Sequence, residues 1–230
     1  MKKLSLCSVL IWLLISCSTE SDFNSSKINE NEISELKENL PNPHNTANPF
    51  DFKGKKYYDA LLCYWKQNEY PNSTSQIADQ IRFLSFQFTK EDNTKRSIIP
   101  FTDEIVESIM ADPDQSMILI VQNSELSNWA KASLIHFLQG LMDRRESEFS
   151  LICAYIMNYE NTVIANSSLS QDESETILTV TSISRYSLYC EADRKDRDWD
   201  KSGANKNIKP FFAQNQVAII SIIGLLSGLD

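Results

Sequence analysis

From Asn29 onward, apolar residues recur every three or four positions, the step of one face of an α-helix, and the stripes are broken at proline, serine and asparagine. Ile33, Leu36 and Leu40 make a first short helix over Asn29 to Leu40, which Pro41 stops. A turn-rich connector runs to Pro49. Asp51 is then placed to cap a helix reaching about Gln67, with Tyr58, Leu61, Leu62 and Trp65 on one face. Ser73-Thr74-Ser75-Gln76 has capping-box spacing ahead of the stripe Ile77, Ile81, Leu84 and Phe88. Lys90 to Ser97 reads as a polar loop. Thr102-Asp103-Glu104 sets a hydroxyl and two acids at the positive end of a helix whose inner residues are Ile105, Val106 and Ile109, and Pro113 ends it.

In the second half, the short apolar run Met117 to Val121 would suit a buried strand, but without a partner strand it reads as helix. Ser127 caps a helix in which Leu134, Phe137, Leu138 and Leu141 align, and Glu146 to Ala165 carries Phe149, Ile152, Cys153, Ile156 and Met157. Ser170-Gln171-Asp172-Glu173 is a second capping box, opening a segment to Tyr189. That segment is rich in strand-favouring Ile, Thr and Val, yet Ile177, Thr181, Ser184 and Leu188 keep the helical step. Glu191 to Asn207 reads as a charged loop. Val217 to Leu229 is apolar on every side, as a central buried helix would be, or a partner contact in which Gly224 and Gly228 permit close approach. With 5 glycines and no Asn-Gly or Asp-Gly hairpin signal, the expectation is all-α, a single multi-helix bundle of about six to eight helices.

Upstream the pattern changes. Lys2 and Lys3 precede an apolar run from Leu4 to Ile15, too short for the ~20 residues of a bilayer-spanning helix and arranged as an export signal. Leu14-Ile15-Ser16-Cys17 resembles the lipobox of bacterial lipoproteins. The resemblance implies removal of residues 1–16 and lipid attachment at Cys17, several acyl chains anchoring durably where one would not. Residues 17–28, dominated by Ser, Asn, Asp and Glu, form a polar tether that cannot bury enough apolar surface to order itself, and residues 29–230 form the helical domain. Ser18 after the cysteine differs from the aspartate associated with inner-membrane retention, which points to the outer membrane.

Charge narrows the partners. Lys and Arg total 22 against 31 acidic residues, and loss of Lys2 and Lys3 makes the mature chain more acidic still. Such a surface repels phosphate backbones and anionic headgroups, so nucleic acid is excluded as a partner and the lipid must supply the membrane affinity. Cys63, Cys153 and Cys190 remain after processing. Each lies in a helical stretch and reads as a small buried apolar residue, although one pair could bridge in an oxidising compartment.

A wider likeness is carried by Asn48-Pro49-Phe50-Asp51 with Gly54 and Leu61, by Leu126-Ser127 with Lys131, and by Leu169-Ser170 leading to Ser184-Arg185-Tyr186-Ser187. In these the chain resembles a group of uncharacterised helical lipoproteins of bacterial envelopes, which implies a helical lipoprotein and no particular activity. It departs from that group in carrying Tyr57-Tyr58 where relatives have a His-Asn pair, and in the bulky Ile and Leu of its tail.

Three chemistries compete. Asp198, Asp200 and Ser202 stand at positions one, three and five of a calcium-loop pattern with Gly203 at six, but Lys209 occupies the twelfth position, where a bidentate Glu belongs. Glu146, at a helix start in Glu146-Ser147-Glu148-Phe149, resembles the catalytic Glu-Ser of lytic transglycosylases. Gly140-Leu141-Met142 lies before that glutamate, however, where the family has it after. His44 and His136 have no ligand or triad spacing, and no cofactor motif occurs. The favoured expectation is a non-enzymatic, lipid-anchored envelope protein of binding, interaction or immunity type, attached to the membrane through Cys17 and meeting a protein partner there. An envelope-glycan hydrolase using a carboxylate general acid and a calcium-binding surface module stand as alternatives.

Overall fold

The computed structural model describes residues 40–89, 103–201, 213 and 215–226. The export segment, Cys17, the tether, the helix expected over Asn29 to Leu40 apart from its last residue, and the loop Lys90 to Ser97 lie outside them.

Among the described residues there are eight helices and no strand, as the periodicity requires. They are α1 (Asp51–Gln67), α2 (Thr74–Thr89), α3 (Asp103–Ala111), α4 (Pro113–Asn123), α5 (Asn128–Asp143), α6 (Phe149–Ile164), α7 (Gln171–Lys201) and α8 (Gln216–Leu226). The helix starts show why the chain divides where it does. Pro113 both ends α3 and opens α4 at its first turn, where Asp112 caps by accepting from the Gln115 amide at 2.9 Å. Ser127 accepts from the Ala130 amide at 3.3 Å to cap α5. At α7 the capping box is complete: Ser170 Oγ accepts from the Glu173 amide at 3.2 Å, and the Glu173 carboxylate accepts from the Ser170 amide at 2.9 Å. At α2 only half forms, since Ser73 Oγ accepts from the Gln76 amide while the Gln76 side chain accepts from Asn72.

Two helices make the interior. In α8, Val217 to Leu226 are all buried, consistent with its apolar composition on every side. The other is α7, against which α1, α6 and α8 pack. The main core joins Ile77 and Ile81 of α2, Phe137 and Leu138 of α5, Ile152 and Ile156 of α6 and Leu188 of α7 to α8. Smaller clusters sit at the α1–α7 contact, around Tyr57, Leu61 and Ile183, and around Ala130, Val163, Ile177 and Leu178.

Helix α7 departs most from expectation. It was to stop near Tyr189 with a charged loop from Glu191; instead it continues to Lys201, and Glu191 is buried. Its middle is buried all round although it carries Thr181, Ser182, Ser184 and Ser187. Small hydroxyls tolerate this because they bond the helix's own carbonyls: Thr181 Oγ1 lies 3.0 Å from the Leu178 oxygen, and Ser184 Oγ donates to Val180 at 2.8 Å. Their size also lets a neighbour come close. A Cβ on Gly54 of α1 would stand 2.6 Å from the Ser182 carbonyl oxygen, so only glycine allows this approach of α1 to α7.

Candidate functional site: a buried charge clasp and a cleft

Arg185, at the centre of α7, has no solvent exposure, and a guanidinium cannot stay so without acceptors. Two carboxylates meet it. Its Nε and Nη2 donate to Glu160 of α6 at 3.1 and 3.0 Å, and Nη2 also donates to Asp51 of α1 at 2.7 Å. Glu160 is itself fully buried and receives further donors from the segment before α1: Asn45 Nδ2 at 2.6 Å and Asn48 Nδ2 at 2.7 Å. The Thr181 hydroxyl, 2.9 Å from Glu160 and 3.0 Å from the Leu178 carbonyl, has one proton to share between them.

Asp51 is therefore not the helix cap its position suggested. Phe50 occupies that place and makes no side-chain cap, while the Asp51 carboxylate faces inward. It accepts from the Asn45 amide at 3.2 Å, from the Tyr186 hydroxyl at 3.1 Å and from Arg185, and it lies 2.5 Å from His44 Nδ1. Burial works to raise its carboxyl, but the hydrogen bonds from Arg185 and His44 outweigh that and hold it below the ordinary range. Burial likewise opposes the charge on Arg185, and Glu160 and Asp51 overcome it, keeping the guanidinium above its usual value. From surface to core the side chains run from His44, 53 % exposed, through Asp51 at 8 % to Arg185 and Glu160 at zero. No hydroxyl or thiol of a described residue hydrogen-bonds the His44 ring. What the arrangement does by itself is fasten residues 44–51 to α6 and α7.

A third buried carboxylate, Glu191, lies further along α7. Burial raises its pKa, and the Tyr70 hydroxyl bonds both of its oxygens at 2.9 and 3.0 Å. Arg194 reaches it at 3.3 Å while covering the Tyr70 ring at 3.8 Å.

Elsewhere a cleft of about 640 Å³ opens between the α4–α5 turn and the start of α7. Val121, Leu134 and Leu226 line its floor, and Glu125, Asp172 and Glu173 contribute carboxylates to its lining. Glu173 joins two helix starts, accepting from the Ser127 amide at 3.0 Å as well as from Ser170, and the Ser127 hydroxyl together with these amides holds its carboxyl at about 2.

The other sites expected from sequence are scattered. Glu146 sits exposed in the turn before α6, which begins three residues later than anticipated, and it is not among the residues lining the cleft. Asp198 and Asp200 fall in the last turns of α7, a helical backbone and not the loop their spacing called for, and Ser202 is outside the described residues. Among the described residues no group of three or more His, Cys, Asp or Glu could hold a metal. Cys153 and Cys190 are buried as expected, whereas Cys63 is exposed; all three are free thiols. His136 is exposed on α5.

The segments that carry the likeness to envelope lipoproteins converge in two places. Asp51 and Gly54 meet the Ser182–Ser187 stretch of α7 at the clasp, with Tyr57 Oη 3.1 Å from Ser187 Oγ, while Asn48 donates to the Leu178 carbonyl earlier in α7. Leu126 and Leu169 pack on the same apolar cluster, and Ser127 and Ser170 share Glu173. No protein-family model, curated protein or solved structure matches the chain.

Proposed function

We propose that this chain is a lipid-anchored protein of the bacterial cell envelope, acylated at Cys17 and held at the outer membrane, whose helical body acts by binding a protein partner, in an interaction or immunity role. The observation that supports this reading most is the clasp. Its charged groups are turned inward and engaged with one another, and what they secure is the stretch from His44 to Asp51, which follows the polar tether. A tethered body needs its attachment end fixed to the rest of the fold, and a buried carboxylate with five neighbouring donors is suited to holding.

Mass spectrometry of the protein recovered from envelopes tests the anchor. The expected mature chain begins at an acylated Cys17, and Cys17→Ala should move the protein from the membrane fraction to the soluble fraction. A wild-type chain that begins at any other residue, or that is recovered wholly in the soluble fraction, refutes the proposal.

A further inference from the structure

We infer that the cleft at the start of α7 is the docking site for a protein segment that presents apolar side chains beside a lysine or arginine. The inference rests on the reading that the body binds a protein partner; it adds where and by what chemistry.

The argument begins with what the cleft is made of. A volume of about 640 Å³ falls within the range of built ligand pockets, and its floor of Val121, Leu134 and Leu226 calls for an apolar occupant. Its charged lining is acidic. Of the three carboxylates, Glu173 is already engaged with the amides of Ser127 and Ser170. Glu125 and Asp172 are exposed, and among the described residues neither side chain has a hydrogen bond or ion pair. No lysine or arginine is among the residues lining the cleft, and Lys131 on α5 donates its Nζ to the Gln122 carbonyl at 2.9 Å.

Four amides at the helix starts beside the cleft are already engaged. Ser127 caps α5 and Ser170 caps α7, and Glu173 takes an amide from each. An anionic segment would therefore meet two unpaired carboxylates. A basic one would pair with Glu125 and Asp172 while its apolar neighbours cover the floor.

The test uses the full chain as purified, in phosphatidylcholine nanodiscs if it is acylated and free in solution if it is not, with empty discs as reference. The probes are two labelled hexapeptides, one of alternating Leu and Lys and one of alternating Leu and Glu. Saturable binding of the Leu/Lys peptide below about 1 mM, and none of the Leu/Glu peptide, is expected. Replacing both free carboxylates, Glu125→Gln with Asp172→Asn, should weaken binding roughly two- to thirtyfold, the span for two exposed ion pairs, with an unchanged circular dichroism spectrum. Ser124→Arg, which adds bulk and positive charge to the lining, should weaken it further. Equal binding of the two peptides, or no loss in the double variant, overturns the inference. So does saturation by octylammonium without peptide binding, which would make the occupant a small amine, or self-association of the chain through this face. The state of Cys17 in the same sample is read independently by mass, so failure of the anchor and failure of the cleft give different results.

Discussion

Replacing Arg185 by methionine keeps most of the aliphatic stem and removes the guanidinium, so it isolates the charge. Three bonds vanish: two to Glu160, at 3.1 and 3.0 Å, and one to Asp51, at 2.7 Å. Glu160 keeps Asn45, Asn48 and the shared Thr181 hydroxyl, but it has no exposure through which water could replace the lost charge. Removing one partner of a buried pair costs about 3–5 kcal/mol, because the other charge is left unpaired. At about 2–4 °C per kcal/mol for a domain of this size, the midpoint of thermal unfolding should fall by roughly 6–20 °C. Urea and thermal unfolding followed by circular dichroism at pH 7 measure this. The pH dependence adds a signature. In the wild type, Asp51 is held below its ordinary value of 3.8, so its contribution is present above that value and lost as pH falls through the lower folded value. In Arg185→Met the strongest of the hydrogen bonds that lower Asp51 is gone, so that pH-dependent part of the stability should shrink. A loss under about 1 kcal/mol at pH 7 would refute the reasoning, for it would mean that the guanidinium exchanges its bonds for water without cost.

Two further outcomes follow from the packing and the caps. Gly54→Ala sets a methyl against the Ser182 carbonyl oxygen, and forcing α1 away from α7 should cost about 1–3 kcal/mol in urea unfolding; an unchanged midpoint would show that the contact yields freely. Glu173 has its carboxyl held at about 2 in the folded chain against an ordinary 4.5, so it stabilises above 4.5 and loses that contribution as pH falls towards 2. Glu173→Gln should flatten the stability curve over that window, whereas curves that stay parallel would deny the carboxylate its role at the two helix starts.

The helices were legible because their signals are local. Apolar spacing, Pro113 and the caps at Ser127 and Ser170 act within a few residues, and the structure follows them. The clasp depends on contacts across the chain, which spacing does not encode. Asp51 has the sequence context of a cap, and nothing near it announces Arg185. A weaker signal was present: Glu160 continues the apolar stripe Ile152, Ile156 and Val163, and Arg185 stands amid small and apolar residues. A lone charge on a buried face requires an opposite one elsewhere, and these two answer each other. The length of α7 was missed for a related reason. Its charged end reads as solvated loop until Tyr70, Arg194 and the burial of Glu191 are seen together.

The fastening of the N-terminal segment also sets an order of events. Asn45, Asn48 and Asp51 bond to side chains 112 to 135 positions further along the chain. Synthesis delivers the N-terminal residues first, yet α1 has neither Glu160 nor Arg185 to close on until α6 and much of α7 exist, and contacts of such long range slow folding. The earliest of the eight helices to leave the ribosome is thus among the last to find its place.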